Sequence, residues 1–270
     1  MIRQPAVANQ FYPGIEADLK RDISGRIESA GGKQKKEKVL ALVSPHAGYI
    51  YSGNIAGAVF SQAEITKDVI VIGPNHRGTG APFAVMAHGV WKMPGGEIPI
   101  NERLSNLLIE ESNWLRDNNQ AHLQEHSVEV QLPFIQYIRS DVEFVPIVLG
   151  MADLKTCEEI GMAIARAIKR YGKPVVIIAS TDMTHYETQE NAKKKDQLAI
   201  DRILSLDPAG LLDTVNTNNI SMCGVIPTTI TIVAAKELGA TKATLVNYAT
   251  SGDVSGDYGS VVGYAGLIIQ

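Results

Sequence analysis

The sequence predicts an α/β fold, a central, largely parallel or mixed sheet flanked by helices. Three observations carry that reading. Short runs rich in Val and Ile recur at residues 39–43, 69–72 and 175–178. They are apolar throughout rather than alternating, the pattern of strands buried on both faces of a parallel sheet. Each run also ends in a short loop that carries a histidine: His46, His76 and His185. In open α/β sheets ligands bind beyond the carboxyl ends of the strands, so the three imidazoles are expected on one edge.

The elements follow in order. Leu19, Ile23 and Ile27 mark one face of a helix over about residues 15–28, closed by Gly31-Gly32 and a charged stretch. The first strand delivers His46, and a helix from about Gly53 turns Ile55, Val59 and Phe60 inward. His76 lies 76 − 46 = 30 residues beyond His46, one βαβ unit, which predicts neighbouring strand ends. Residues 81–100, with Met93-Pro94-Gly95-Gly96, read as a hairpin or short-strand excursion. Asn101 caps a helix whose inner face is Leu104, Leu107, Leu108 and Leu115. After a polar loop, Glu125-His126 lead into an apolar helix bent near Pro133, and residues 142–149 form another buried strand. Asp153 caps a helix through Ile160, Ile164 and Ile168 that closes on Lys169-Arg170 and Gly172. Beyond His185 come a charged helix near 190–205, one opened by Asp207-Pro208, and one from Pro227 to Leu238-Gly239. The loop 218–224 carries Cys223, and two last strands, 244–249 and 260–269, flank a Gly/Ser/Asp-rich loop. No repeat, linker or composition shift divides the chain, so one domain is expected.

Composition narrows the function classes. A hydrophobic content of 45% over 270 residues suits a full globular core. The net charge is −4, and the lysines between Lys33 and Lys38 are mixed with acid, the pattern of a solvated loop rather than a nucleic-acid patch. Two cysteines, Cys157 and Cys223, argue against a disulfide scaffold and suit a reducing cytosol. The first thirty residues lack a secretory pattern, and no apolar run reaches the ~20 residues that span a bilayer. The expectation is a cytoplasmic protein with neither a membrane nor a nucleic-acid partner.

The polar residues of the strand-end loops are the candidates for chemistry. His46 sits between Pro45 and Ala47-Gly48, and His76 in Gly-Pro-Asn-His-Arg-Gly, both tight turns that expose a ring to a cleft. Asp182 lies three residues from His185 and is expected either to orient that imidazole or to cap the next helix. Cys223, close to a helix start, reads as a ligand, a nucleophile or a small core residue. His122-Leu123-Gln124-Glu125-His126 spells H-x-x-E-H, the inverted zinc-protease motif, which needs an unbroken helix. With a polar loop before it and Pro133 after it, Glu125 and His126 are expected instead to line the shared cleft. His88 has no convergent partner and reads as structural.

Taken together, several segments resemble one family. They are Val43-Ser44-Pro45-His46-Ala47-Gly48-Tyr49, Gly73-Pro74-Asn75-His76, Glu125-His126-Ser127-Val128-Glu129-Val130-Gln131-Leu132-Pro133-Phe134, Ser180-Thr181-Asp182-Met183-Thr184-His185-Tyr186 and Met222-Cys223-Gly224. Arg3-Gln4-Pro5-Ala6-Val7-Ala8 and Phe11-Tyr12-Pro13 fit too. In this order they resemble the Memo family, which implies a single Memo-like domain over residues 1–270. Prokaryotic members are the B protein of the AmmeMemoRadiSam system, a name that implies a functional link to a radical-SAM protein.

The family resembles class III extradiol dioxygenases in fold, enzymes that hold Fe(II) with two His and a carboxylate. The resemblance implies His46 and His76 as metal ligands and His185 as the acid–base residue. Cys223 would stand where the dioxygenases have a glutamate, which makes the site softer and widens the metal from iron to copper or zinc. The implied activity is that of a metal-dependent oxidoreductase on an unknown small-molecule or peptide substrate. A non-catalytic adaptor that binds a peptide or protein partner in the same cleft is the alternative. A zinc hydrolase built on His122, Glu125 and His126 is a third.

Overall fold

Among the described residues, nine strands form the main sheet: β1 (Ala41–Ser44), β2 (Asp68–Pro74), β3 (Phe83–Val85), β4 (Arg116–Asp117), β5 (Glu143–Leu149), β6 (Val175–Ser180), β7 (His185–Glu187), β8 (Ala243–Thr250) and β9 (Val261–Ile269). The computed structural model describes residues 1–31 and 36–270, so Lys33 and Lys35 of the expected solvated loop lie outside the described residues. The spatial order is β7-β9-β1-β6-β2-β5-β3-β4, with β8 also paired to β9. β1, β6, β2 and β5 run parallel. β9 runs antiparallel to β1, and β3 antiparallel to β5. The sheet is therefore mixed with a parallel centre, as the sequence predicts.

Successive strand residues point to opposite faces, and this sorts the interior into two cores. Ala41, Val43, Ile70 and Ile72 belong to one, Leu42, Val69 and Val71 to the other. The first face is covered by α3 (Glu102–Glu111), α5 (Leu154–Tyr171), α6 (Gln189–Leu204), α7 (Pro208–Thr217) and α8 (Val225–Glu237). The second is covered by α1 (Glu16–Ser29), α2 (Tyr49–Gln62) and α4 (Leu132–Ile138). Both faces of the central strands are thus dry, which is why those strands carry no polar alternation.

Local signals set several helix starts. Asn101, Asp153 and Asp207 each accept the backbone N–H three residues on, satisfying a free donor of the first turn. Three boundaries differ from expectation. α2 starts at Tyr49, four residues before Gly53, and α8 at Val225, which leaves Pro227 in the first turn where its missing N–H costs nothing. α3 stops at Glu111, so Leu115 joins the same core from outside the helix.

One topological expectation fails. β1 and β2 are not neighbours, because β6 lies between them. The crossover through α2 skips one position, and a later strand fills it. All three strands are parallel, so His46, His76 and His185 still leave from the same edge.

The excursion at 81–100 contains the expected hairpin, Val90–Met93 with Gly96–Pro99, and it pairs in parallel with an amino-terminal strand, Ile2–Arg3. This pairing draws Arg3 into the interior, where its guanidinium lies 3.9 Å from the centre of the Trp91 ring. Among the described residues, no helix is long and apolar enough to cross a membrane.

Candidate metal centre

β1, β6 and β2 end side by side, and the loops after them meet. His46 follows β1 by two residues, His76 follows β2 by two, and Asp182 follows β6 by two. Cys223 arrives from the other side, two residues before α8. His46, His76 and Cys223 each offer one ligand atom, and these atoms lie within 4.8 Å of one another. Cys223 Sγ is 3.3 Å from His46 Nε2. Tetrahedral ligands at ordinary Zn–N and Zn–S lengths sit roughly 3.3–3.8 Å apart, a spacing that the His46 and Cys223 donors already have, and the three together form a group that could hold a metal ion. Gly224 permits the approach of Cys223, since a Cβ there would collide with Thr181 and the Ser180 carbonyl. The Gly224 N–H donates to Thr181 Oγ1 at 2.9 Å and locks the two loops together.

The groups around these donors set their orientation. His76 Nδ1 is 2.8 Å from Glu125 Oε1, and its backbone N–H donates to Glu125 Oε2 at 2.7 Å. A carboxylate only accepts, so Nδ1 carries the proton and Nε2 keeps the lone pair. Glu125 also accepts the Ser127 N–H and is fully buried. Against the expectation from the sequence, it therefore does not line the cleft but stands behind His76. A second group of possible ligands, His76, Glu125 and His126, shares His76 with the first. There the carboxylate is already filled by three N–H donors, which favours the first group. Gly73 gives the room for this arrangement, because a Cβ there would meet the Ser127 side chain.

Asp182 also departs from expectation. Its Oδ1 accepts the His46 backbone N–H at 2.8 Å, and its N–H donates to Cys223 Sγ at 3.2 Å. It orients neither His185 nor a helix start. His185 instead sets its Nδ1 2.9 Å from the Ser221 carbonyl, to which it donates, so its Nε2 is the basic atom. His185 and His126 line the same cavity of about 710 Å³ as His46, His76 and Cys223. The His76 and His126 rings stack with centres 4.6 Å apart, and Phe11 lies 4.9 Å from His126.

His122 takes no part. It is fully buried 6.1 Å from the Trp91 ring, in a single turn of 3-10 helix at Gln120–His122. The helix that the H-x-x-E-H motif needs is absent here, and no group of possible ligands among the described residues includes His122.

A family model described as "Memo-like protein" matches residues 3–268. The chain belongs to the Memo family. It is 42% identical to a MEMO1 family protein of Methanopyrus kandleri over 281 residues, covering 100% of this chain and 99% of the relative. A MEMO1 family protein of Pyrobaculum arsenaticum is 44% identical over 278 residues, with the same coverage. An uncharacterized protein from Escherichia coli K12 of known structure superposes with a TM-score of 0.56 at 13% identity, covering 84% of this chain and 98% of that one. This likeness concerns the fold alone, a mixed sheet flanked by helices.

Several residues of this Memo-family site escape sequence reasoning. Ser180 and Gln131 contact His46 or its supports, yet each looks like an ordinary strand-end or helix polar residue. Tyr186 is 79% exposed at the cavity mouth and holds φ at 61°, a strained value for a residue with a Cβ. Only the threonine-histidine-tyrosine run around it hinted at a role.

Burial dominates the electrostatics. It pushes His46 well below the ordinary imidazole range, aided by the neighbouring His126, His76 and His185. Burial also takes His122 down to about 3 and His126 to about 4. Asp182 moves the other way, raised by burial to about 6, and burial raises Asp196 as well. For Glu125 burial pushes up, but the His76 hydrogen bond and charge outweigh it and bring the carboxyl to about 2.

A pH dependence follows for the metal-free protein. Unfolding returns the three imidazoles to ~6.5, so below that pH the unfolded chain takes up protons first. Each imidazole thus withdraws stability as pH falls from ~6.5 towards its folded value. The two raised carboxylates act oppositely, because the folded state takes up their protons first. Three groups outweigh two, so the urea midpoint is expected to fall steadily from pH 6.5 to about 4. A flat midpoint over that range would show the imidazoles solvated.

Proposed function

We propose that this protein is a metal-dependent oxidoreductase in which His46, His76 and Cys223 hold the metal and His185 moves protons. The observation that carries the reading is the convergence of two imidazoles and a thiol at one strand edge, facing a cavity that His185 shares. Iron is the favoured metal by the resemblance to the iron-holding dioxygenases, and copper or zinc are alternatives because a thiolate among imidazoles makes a softer set than two His and a carboxylate. When bound, such a metal supplies an open coordination position and, if iron or copper, one-electron chemistry. The chain's own groups do the rest. Glu125 holds the His76 ring, and Asp182 holds the His46 backbone and the Cys223 sulfur. His185, pinned by Ser221, turns a basic Nε2 to the cavity, where it accepts or returns a proton at the substrate.

One observation favours a second reading, an adaptor that captures a peptide or protein segment in the same cleft. The mouth carries two partly or largely exposed aromatic rings, Tyr51 and Tyr186. The zinc hydrolase reading loses support with the burial of His122 away from the cavity.

The test is purification without oxygen, metal analysis and a redox assay of three proteins. Wild type is expected to carry about one metal ion per chain. His46→Ala is expected to lose both metal and turnover, whereas His185→Ala keeps the metal and loses turnover. Full redox turnover in His185→Ala would remove it from catalysis. Metal-free protein that still captures peptides would favour the adaptor.

A further inference from the structure

His46 can ligate through Nε2 only if its proton sits on Nδ1, and neither its own ring nor a carboxylate ensures this. His76 has Glu125 and His185 has the Ser221 carbonyl, both pure acceptors. His46 Nδ1 faces instead a hydroxyl, Ser180 Oγ, at 2.9 Å, and a hydroxyl can donate as readily as it accepts. The direction is decided one step further out. Ser180 Oγ lies 2.6 Å from the Ser127 carbonyl, which takes its single proton. Its third neighbour is Gln131 Nε2 at 2.8 Å. That amide nitrogen is also 2.9 Å from the Pro45 carbonyl and 3.3 Å from the Ser44 carbonyl. Turning the amide over would set its oxygen against two carbonyl oxygens, so the –NH₂ faces Ser180 and donates to it. With its proton given to Ser127 and one lone pair taken by Gln131, Ser180 Oγ has only an acceptor site left for His46.

We infer that Ser180, fixed by the Ser127 carbonyl and the Gln131 amide, is a positioning residue that holds His46 as the Nδ1-protonated tautomer and so keeps Nε2 free for a metal ion. The relay is wholly buried: Ser127, Gln131 and Ser180 are at most 1% exposed, so water does not compete for its hydrogen bonds. Ser127 and Gln131 come from the segment that also bears Glu125, so one stretch of chain sets the ring protons of both His46 and His76. In the metal-free state the same tautomer leaves the Nε2 lone pair facing the Cys223 sulfur, 3.3 Å away. The metal consequence rests on the function proposed above, but the tautomer does not.

Two measurements therefore separate the two ideas. The first is side-chain ¹⁵N–¹H NMR of the full-length, chelator-treated protein, with the His46 signals assigned from their loss in His46→Gln. Wild type is expected to show the proton on Nδ1 and a lone-pair-type Nε2. Ser180→Ala, and the nearly isosteric Gln131→Leu, are expected to give a mixture or the Nε2-protonated form. A proton on Nε2 in wild type, or an unchanged Nδ1 proton in Ser180→Ala, overturns the relay, and the wild-type result stands even where a variant fails to fold. The second is titration with Zn²⁺ alone, in which Ser180→Ala is expected to bind about 10–100-fold more weakly. If the tautomer shifts as expected while His46→Gln binds Zn²⁺ like wild type, the relay holds and His46 as ligand falls.

Discussion

Replacing Cys223 by alanine is expected to weaken metal binding by more than about 100-fold and to change its pH dependence. The magnitude follows from comparison: loss of a group that only supports a ligand costs about 10–100-fold, so loss of a ligand exceeds that. The pH effect follows from the thiol's surroundings. Burial, and then the Asp182 charge, raise the Cys223 pKa above its ordinary value, so the metal-free site holds a thiol and not a thiolate. Ligation must displace that proton, and wild-type affinity should rise about tenfold per pH unit through the neutral range from this group alone. Cys223→Ala should flatten that slope by about one proton. Titration with Co²⁺ checks both points, because a thiolate ligand gives a sulfur-to-metal absorption band that the variant must lose. A retained band, or an unchanged affinity, would leave Cys223 outside the metal set and make it the small core residue that its spacing also suggests.

The largest stability effect is expected at Glu129. Its carboxylate is fully buried and pairs with Arg3 Nη1, which is buried as completely. It also accepts the Ala6 and Val7 backbone N–H groups at 2.8 and 3.1 Å and the Tyr12 hydroxyl at 2.6 Å. Glu129→Ala strands all four donors, one of them a charge. Breaking a buried pair from one side costs about 3–5 kcal/mol, which for a chain of this size lowers Tm by roughly 10 °C. Arg3→Met is expected to cost less, because Glu129 keeps three donors. It should still reach the site, since Arg3 Nη2 donates to the Glu125 carbonyl at 2.8 Å and Nε to that of His122 at 2.9 Å. Thermal melts of the two variants, with Zn²⁺ affinity measured beside them, check the ranking. If Arg3→Met proves the more damaging, the aromatic contact with Trp91 outweighs the carboxylate network.

Sequence by itself determined the parts of this protein that local chemistry dictates. Unbroken Val/Ile runs have only the centre of a sheet to occupy, so the strands that end in His46, His76 and His185 were legible, as were the caps at Asn101, Asp153 and Asp207. Ordered motifs along nearly the whole chain were enough to mark the family. A shared edge for the three histidines also followed, because parallel strands must end on the same side.

Tertiary structure decided what depends on partners distant along the chain. That β6 separates β1 from β2 is not encoded in the length of any crossover, which fits one strand step or two. Glu125 belongs behind His76 and Asp182 beneath His46 because the fold filled those oxygens with backbone N–H groups 49 and 136 residues away. His122, one letter of a zinc motif, is buried beside Trp91 because its segment turns as 3-10 helix. Above all, the proton on His46 depends on a hydroxyl, a carbonyl and an amide brought from two separate segments, each able to face either way until the dry interior leaves it one partner.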